Sequence, residues 1–319
     1  MSTLQTSNLI SNGTLTANTL TVGTTTMNST SIDFGNAHIT PSSIYVGDAS
    51  VNNILQATVS EPSITVNNQV VTFPSEYVNV QIFEANGNWT KPSWATGVGS
   101  NSQQINANDA LIVVHLWGAG GGGNTTNGVG GGGGAFVYGI YTSSQVNATA
   151  NVTVGIGGTA GVAGGNTVFG NSSSFDSVNR SLTAYGGGTA NATHAGGGGG
   201  WLAAGTILTG GAPLGNTTAN GQSTFGGAAG GNSTAGSLTG GSSVYGGGGG
   251  SYTTSSGGGS IYGGGGGAGT TGARGTSVYG GFGANSSTAA GYPAGGGSGL
   301  TNTTGANGKV IVYTLRKIS

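Results

Sequence analysis

The sequence predicts an all-β protein with no substantial α-helix: a repetitive β shaft, then a β-sandwich-like core carrying a large glycine-rich insertion. Three observations predict it. The chain has 319 residues, of which 72 are glycine, and all but seven of these glycines fall between Gly118 and Gly308. Short alternating apolar runs bounded by glycine or asparagine recur along the chain, and no stretch has the 3.6-residue apolar spacing of an amphipathic helix. Two internal repeats, one with a 12-residue and one with a 17-residue period, divide the chain into segments too regular for a linker.

The N-terminal stretch, up to Leu55, carries the 12-residue repeat. Thr19-Leu20-Thr21-Val22-Gly23 to Met27, Ser31-Ile32-Asp33-Phe34-Gly35 to Ile39 and Ser43-Ile44-Tyr45-Val46-Gly47 to Val51 share one pattern, with Ser7 to Leu15 as a degenerate copy. Alternation followed by glycine predicts one short strand and a turn per repeat. Such a strand buries too little by itself, so copies from several chains wound about an axis are expected, in a homotrimer. Ordinary β sequence follows: a hairpin over Ile64 to Phe73 turning at Asn67-Asn68, then strands at Val78 to Phe83, Leu111 to Trp117, Ala135 to Tyr141, Ala150 to Gly155 and Lys309 to Leu315. Since the last of these follows the glycine-rich segment, both ends of that segment are expected to return to one β core. The division read from the chain is 1–60 shaft and attachment segment, 61–117 connector and first core strands, 118–308 glycine-rich domain, and 309–319 closing strand.

Within 118–308, glycine lacks the every-third-residue spacing and the proline of collagen. Instead Ser243-Val244-Tyr245-Gly246-Gly247 recurs as Ser260-Ile261-Tyr262-Gly263-Gly264 and again as Ser277-Val278-Tyr279-Gly280-Gly281, the second repeat of the chain. Regularly placed apolar side chains before each glycine run are needed by a folded layer and not by a linker. Glycine folds this way as extended polyglycine II helices, three residues per turn, bonded through their backbones to neighbours. Ordering each glycine costs about 0.5–1 kcal/mol more than alanine, so nearly every backbone group must find a partner.

The ordered series Phe83, Trp89-Thr90-Lys91-Pro92, Val113-Val114-His115-Leu116-Trp117-Gly118-Ala119-Gly120-Gly121, Val152-Thr153-Val154-Gly155-Ile156-Gly157-Gly158, Asn166-Thr167-Val168-Phe169-Gly170 and Gly308-Lys309-Val310-Ile311-Val312-Tyr313 resembles the glycine-rich domain at the distal end of many bacteriophage tail fibres and adhesins, over about residues 80–315. The 12-residue repeats are similar to the shafts of fibre proteins in marine tailed phages. The resemblance implies a virion protein, usually homotrimeric. It would be held at its N-terminus by other tail or baseplate proteins, made in the host cytoplasm and acting outside the cell on a host surface glycan or outer-membrane protein. It brings no receptor residues with it, since those loops vary.

Composition narrows the chemistry. Only 4% of the residues are charged and the net charge is −1, so there is no electrostatic footprint for nucleic acid or anionic lipid, and no apolar run is long enough for membrane insertion. The opening Met1-Ser2-Thr3 supplies no secretion signal, which counts against the alternative of a bacterial surface or ice-binding polyglycine protein; the other alternative is a structural tail component with no receptor role. The seven carboxylates are scattered singly, from Ser181 to Ala273 nothing is charged, and the three histidines are isolated. No catalytic, metal or cofactor site is therefore expected, and no enzyme activity. His115 reads as a core histidine and His38 as a shaft residue. The candidate receptor-binding residues are the aromatics near ends of glycine runs, Trp201, Tyr252, Phe282 and Tyr292, whereas Tyr245, Tyr262 and Tyr279 are assigned to packing.

Overall fold

The computed structural model describes residues 19–22, 25–28, 32–33, 37–40, 43–46, 55–58, 63–66, 69–72, 78–92, 95, 110–170, 181–213, 221–232 and 239–316. The chain forms two compact units, Met1–Tyr77 and Val78–Ser319. The described residues are β and irregular structure, with helical backbone confined to 3-10 turns such as Ser143–Gln145.

The first unit is an antiparallel meander of eight short strands, β1 (Thr19–Val22), β2 (Thr25–Asn28), β3 (Ile32–Asp33), β4 (Ala37–Thr40), β5 (Ser43–Val46), β6 (Leu55–Thr58), β7 (Ser63–Val66) and β8 (Gln69–Thr72), each paired with the next. The 12-residue repeat thus yields two strands where one was expected. The reason is visible in the register: Leu20 pairs with Met27, Met27 with Ile32, Ile32 with Ile39, and Ile39 with Ile44. Alternate spacings of seven and five residues place the apolar positions of successive strands in one row, which Ala57, Ile64 and Val71 continue. Each strand finds its neighbours within the one chain, with β1 and β8 as the edges of the sheet. The predicted hairpin over 64–73 is the last pair of this meander, Ile64 opposite Val71. Gly23, Gly35, Gly47 and Asn67-Asn68, read as turn positions, and the copy at Ser7 to Leu15 lie outside the described residues.

The second unit is built on two four-stranded antiparallel sheets. One runs β12 (Phe136–Thr142), β11 (Ala110–Trp117), β16 (Lys309–Arg316), β9 (Val78–Phe83); the other runs β10 (Gly87–Thr90), β13 (Thr149–Thr153), β14 (Thr167–Phe169), β15 (Leu182–Ala184). Ile112, Val114, Leu116, Val310 and Val312 from the first meet Trp89, Val152 and Phe169 from the second in one buried core. Trp89 and Phe169 are wholly buried and pack edge to face, centroids 5.8 Å apart. Lys91 donates to the carbonyls of Ser143 and Val146, at 2.6 and 2.5 Å, and its burial holds its pKa below the usual lysine range. The expected return of the chain is present, since Trp117, the last residue before the glycines, pairs with Lys309, the first after them. Strands β12 to β15 nevertheless fall inside 118–308, so sandwich and glycine segments are interleaved.

The transition between them occurs within the β11–β12 hairpin. Where β-pairing stops at Trp117 opposite Phe136, the two arms continue side by side in the same register: Gly118 N–H donates to Ala135 O, and Gly121 N–H to Gly132 O. The spacing of bonds has changed from two residues to three, the period of polyglycine II. Residues 130–136 show the consequence. Gly130, Gly133 and Phe136 donate to Ser251, Gly248 and Tyr245; Gly131 and Gly134 donate to Gly297 and Ala294; Gly132 and Ala135 donate to Gly188 and Tyr185. The same segment accepts from Gly196 and Gly199, from Gly264 and Gly267, and from Gly118 and Gly121. One extended segment therefore has six neighbours, a hexagonal lattice held by backbone alone. A Cβ on Gly133 would overlap Gly264 O, one on Gly134 Gly118 O, and one on Gly132 Gly197 O, each pointing to a different neighbour.

Two measurements test this packing. Gly265→Ala, whose Cβ would overlap Gly275 O, abolishes cooperative folding, while Gly259→Ala, whose nearest atom is Thr276 O at 3.3 Å, shifts stability by about 1 kcal/mol or less in denaturant melts; equal melts would mean the glycines do not pack through their backbones. The second concerns His115, whose ring lies 5.4 Å from those of Phe136 and Tyr313. Burial pushes it below its ordinary 6.5, so an unfolded chain takes up the proton first. The stability it contributes is complete above pH 6.5 and is lost as pH falls from there toward the folded pKa. In His115→Phe the melting temperature declines less over that window than in the native chain, and equal slopes would refute the assignment.

Candidate functional site at the last rung of the repeat

Four segments stack in parallel, joined at Ser223, Ser243, Ser260 and Ser277. Serine suits this position because its hydroxyl serves two rungs at once. Ser260 Oγ donates to Gly246 O of the preceding rung, 2.7 Å, and accepts from Gly263 N–H of its own, 2.9 Å; Ser277 repeats both bonds with Gly263 O and Gly280 N–H. Two positions on, Phe225, Tyr245, Tyr262 and Tyr279 form a stack with centroids 5.2, 4.8 and 5.0 Å apart and planes within 7° of parallel. The 17-residue spacing is thereby explained: it returns the chain to the same serine and ring one rung further along. The stack is fastened to the sandwich by Trp117, whose Nε1 donates to Tyr262 O at 2.8 Å, and by Phe136, which stacks on Tyr262.

At the last rung the pattern changes. Gly240 and Gly257 occupy the place in the repeat that Arg274 takes in the last copy, and Gly248 and Gly265 the place that Phe282 takes. In the inner rungs a Cβ at any of these four glycines would overlap a neighbouring carbonyl. Large side chains appear where the lattice stops, and the two sit together, the Arg274 guanidinium 3.7 Å from the Phe282 ring centroid. Tyr279, three positions before Phe282 on a helix of three residues per turn, lies on the same side. It is 59% exposed and Val278 71%, so Tyr279 packs on Tyr262 with one face, as assigned, and leaves the other face open. The signal for this is present in the sequence, since no further Ser-x-Tyr-Gly-Gly follows to cover it.

The four candidate aromatics divide into three places. Phe282 and Tyr292 share one, because Gly291 N–H donates to Phe282 O and packs beside its ring. Tyr292 also reaches the sandwich: Lys309 Nζ lies 5.1 Å from its ring and bonds Glu84 at 3.3 Å. Burial and the Glu84 carboxylate, which accepts the bond from its hydroxyl, push the Tyr292 phenol far above the usual range. Trp201 sits at the other end of the aromatic stack, edge-on to Phe225 and Tyr245, with its Nε1 donating to Phe136 O at 2.8 Å. Tyr252 packs on Val129, Ala190 and Ala195 and donates to Ala192 O at 3.3 Å. Trp201 and Tyr252 are therefore wired into packing, while Phe282, Tyr292, Tyr279 and Arg274 make one surface.

The family follows from the span that the lattice and sandwich occupy, for a model described as a glycine-rich domain matches residues 93–315. The chain belongs to this glycine-rich domain family. Among curated proteins no relative matches it. The family's span runs from ahead of β11 to the end of β16 and so takes in the whole lattice, whereas β9 and β10, which complete the two sheets, precede it. Among the described residues of this glycine-rich domain, no group of three or more His, Asp or Glu side chains could hold a metal ion.

The division of the aromatics is measurable. Trp201→Ala lowers unfolding free energy by about 2 kcal/mol or more, while Phe282→Ala changes it by about 1 kcal/mol or less. The reverse order in denaturant melts would show that Phe282, not Trp201, is the packing residue.

Proposed function

We propose that the protein is a structural virion component, a bacteriophage tail fibre or tail-tip adhesin that binds the host surface through its glycine-rich head. The single observation that carries this reading is the last rung: a rigid backbone lattice ends in exposed Tyr279, Phe282 and Tyr292, 59%, 38% and 41% accessible, next to a lone arginine. Aromatic faces, hydroxyls and backbone groups with almost no charge suit a neutral surface glycan or a loop of an outer-membrane protein. The resemblance of the six ordered motifs to distal fibre domains supports the same reading, and membership of the glycine-rich domain family is consistent with it.

In this reading the first unit supplies reach and attachment to other tail or baseplate proteins. The chain works as a homotrimer, so that weak contacts act together. It is made in the host cytoplasm and acts from the virion tail as a binding protein, with no catalytic step and no cofactor, nucleic acid or membrane insertion. Tyr279→Ala with Phe282→Ala lowers adsorption of particles carrying the chain by about tenfold or more, with assembly unchanged and only a small loss of melting temperature, since one face of Tyr279 stacks on Tyr262. Adsorption equal to that of native particles would overturn the assignment of this surface.

A further inference from the structure

The β12-β11-β16-β9 sheet packs on the sandwich core along one side, while its other side is covered only at one end, where Trp117, Phe136 and Ile311 meet Tyr245, Tyr262 and Ala294; both sides have core composition. Strand β11 reads Ala-Leu-Ile-Val-Val-His-Leu-Trp, a continuous apolar run, and such runs belong to strands covered on both faces. Ile112, Val114 and Leu116 face the sandwich. The alternate register rows make the other face, where Ile140 stands opposite Val113, Val113 opposite Tyr313, and Tyr313 opposite Val80. On it Val78, Val80, Ile82, Leu111, Tyr138 and Ile140 are 50, 45, 55, 42, 42 and 60% exposed. Those rows contain one charged side chain, Lys309, at their end and engaged with Glu84.

We infer that this face is a seam between copies of the chain, three of which turn it toward a common axis. The inference rests on the homo-oligomer part of the reading above and is independent of host adhesion. Three arguments select copies of the chain as the occupant. A face with no free charge gives an ionic partner nothing to bind, whereas the same neutral face on another copy is complementary by composition. Four strands about 4.8 Å apart and six to eight residues long, at about 3.3 Å each, present on the order of 400 Å², so three such faces about one axis remove on the order of 1,200 Å² from water in all, about 400 Å² for each pair of copies. An apolar patch of that size is about as large as a typical monomer exposes, and patches of this kind often mark interaction sites. The meander of the first unit pairs each strand with the next inside the chain, and this seam on the sandwich is additional to any contact the repeats make.

The chain has no cysteine, which makes single-cysteine labelling unambiguous. In the full-length protein Ile82→Cys and Ile140→Cys are compared with Ile156→Cys, whose site is 75% exposed and lies outside this sheet. The expected result is labelling by maleimide at the first two sites about tenfold slower or more than at the control, in a particle of trimer mass by light scattering. Adding Val80→Lys lowers that mass and returns Ile140→Cys to the control rate. Equal labelling in a trimer would leave the homo-oligomer standing and overturn this seam. Equal labelling at monomer mass would overturn both. Protection at monomer mass would mean that the chain covers the face itself, and would overturn the seam as well. So would Val80→Lys with mass and protection unchanged.

Discussion

A segment of polyglycine II points its N–H and C=O groups outward in three directions, and none can be satisfied within the segment. Everything else in the second unit answers to that requirement. Residues 130–136 meet it with six neighbours, and those neighbours must approach closely enough that even a methyl group is excluded. The close approach yields strong mutual satisfaction of amides and dispersion contacts between backbones. It also leaves the lattice without the usual source of specificity, because glycine segments look alike and can slide past one another one turn at a time.

Register has to come from elsewhere, and two devices supply it. The β11–β12 hairpin delivers a central pair of segments in an alignment already fixed by strand pairing, since Gly118 opposite Ala135 continues Trp117 opposite Phe136. At the other side, the Ser243, Ser260 and Ser277 hydroxyls and the Tyr245, Tyr262 and Tyr279 rings lock the successive turns one against the next. A slip of one turn would remove the serine from its carbonyl and the ring from its stack. The sandwich is thus less a separate domain than the jig that sets the lattice, which accounts for the interleaving of β12 to β15 with glycine segments in one compact unit.

This division also explains what can be read from the sequence. The 17-residue recurrence carries its own geometry, because the same residue types return at the same place in a stacked layer, and Val78–Phe83 is legible because alternation determines a strand. The 12-residue repeat misleads about strand number, since its paired apolar positions fall at alternate spacings of seven and five and only the pairing Leu20 to Met27 to Ile32 reveals two strands. Strands β10, β14 and β15 are too short for any period to show, and the sequence marks β10 and β14 only as parts of Trp89-Thr90-Lys91-Pro92 and Asn166-Thr167-Val168-Phe169-Gly170. Trp201 and Tyr252 cannot be told from Phe282 and Tyr292 by position near a glycine run. What separates them is burial, for Trp201 and Tyr252 are half-buried against Phe225 and Val129 while Phe282 and Tyr292 stay exposed.

The lattice places a further limit on where recognition chemistry can sit. Inside it, a side chain has no room at the positions of Gly240, Gly248, Gly257 and Gly265, so no larger residue can arise there without loss of the fold. At the boundary the same positions of the repeat admit Arg274 and Phe282, and their replacement removes no backbone bond of the layer beneath. Substitution is therefore nearly free of structural consequence at Arg274 and Phe282, and almost forbidden both at the matching glycines one rung below and at Gly275, Gly280, Gly281 and Gly283 of the last rung itself. If the last rung is the binding surface proposed above, such a sharp boundary lets that surface change while the scaffold is kept. The sequence marks where it lies, at the first repeat in which glycine gives way to a large side chain.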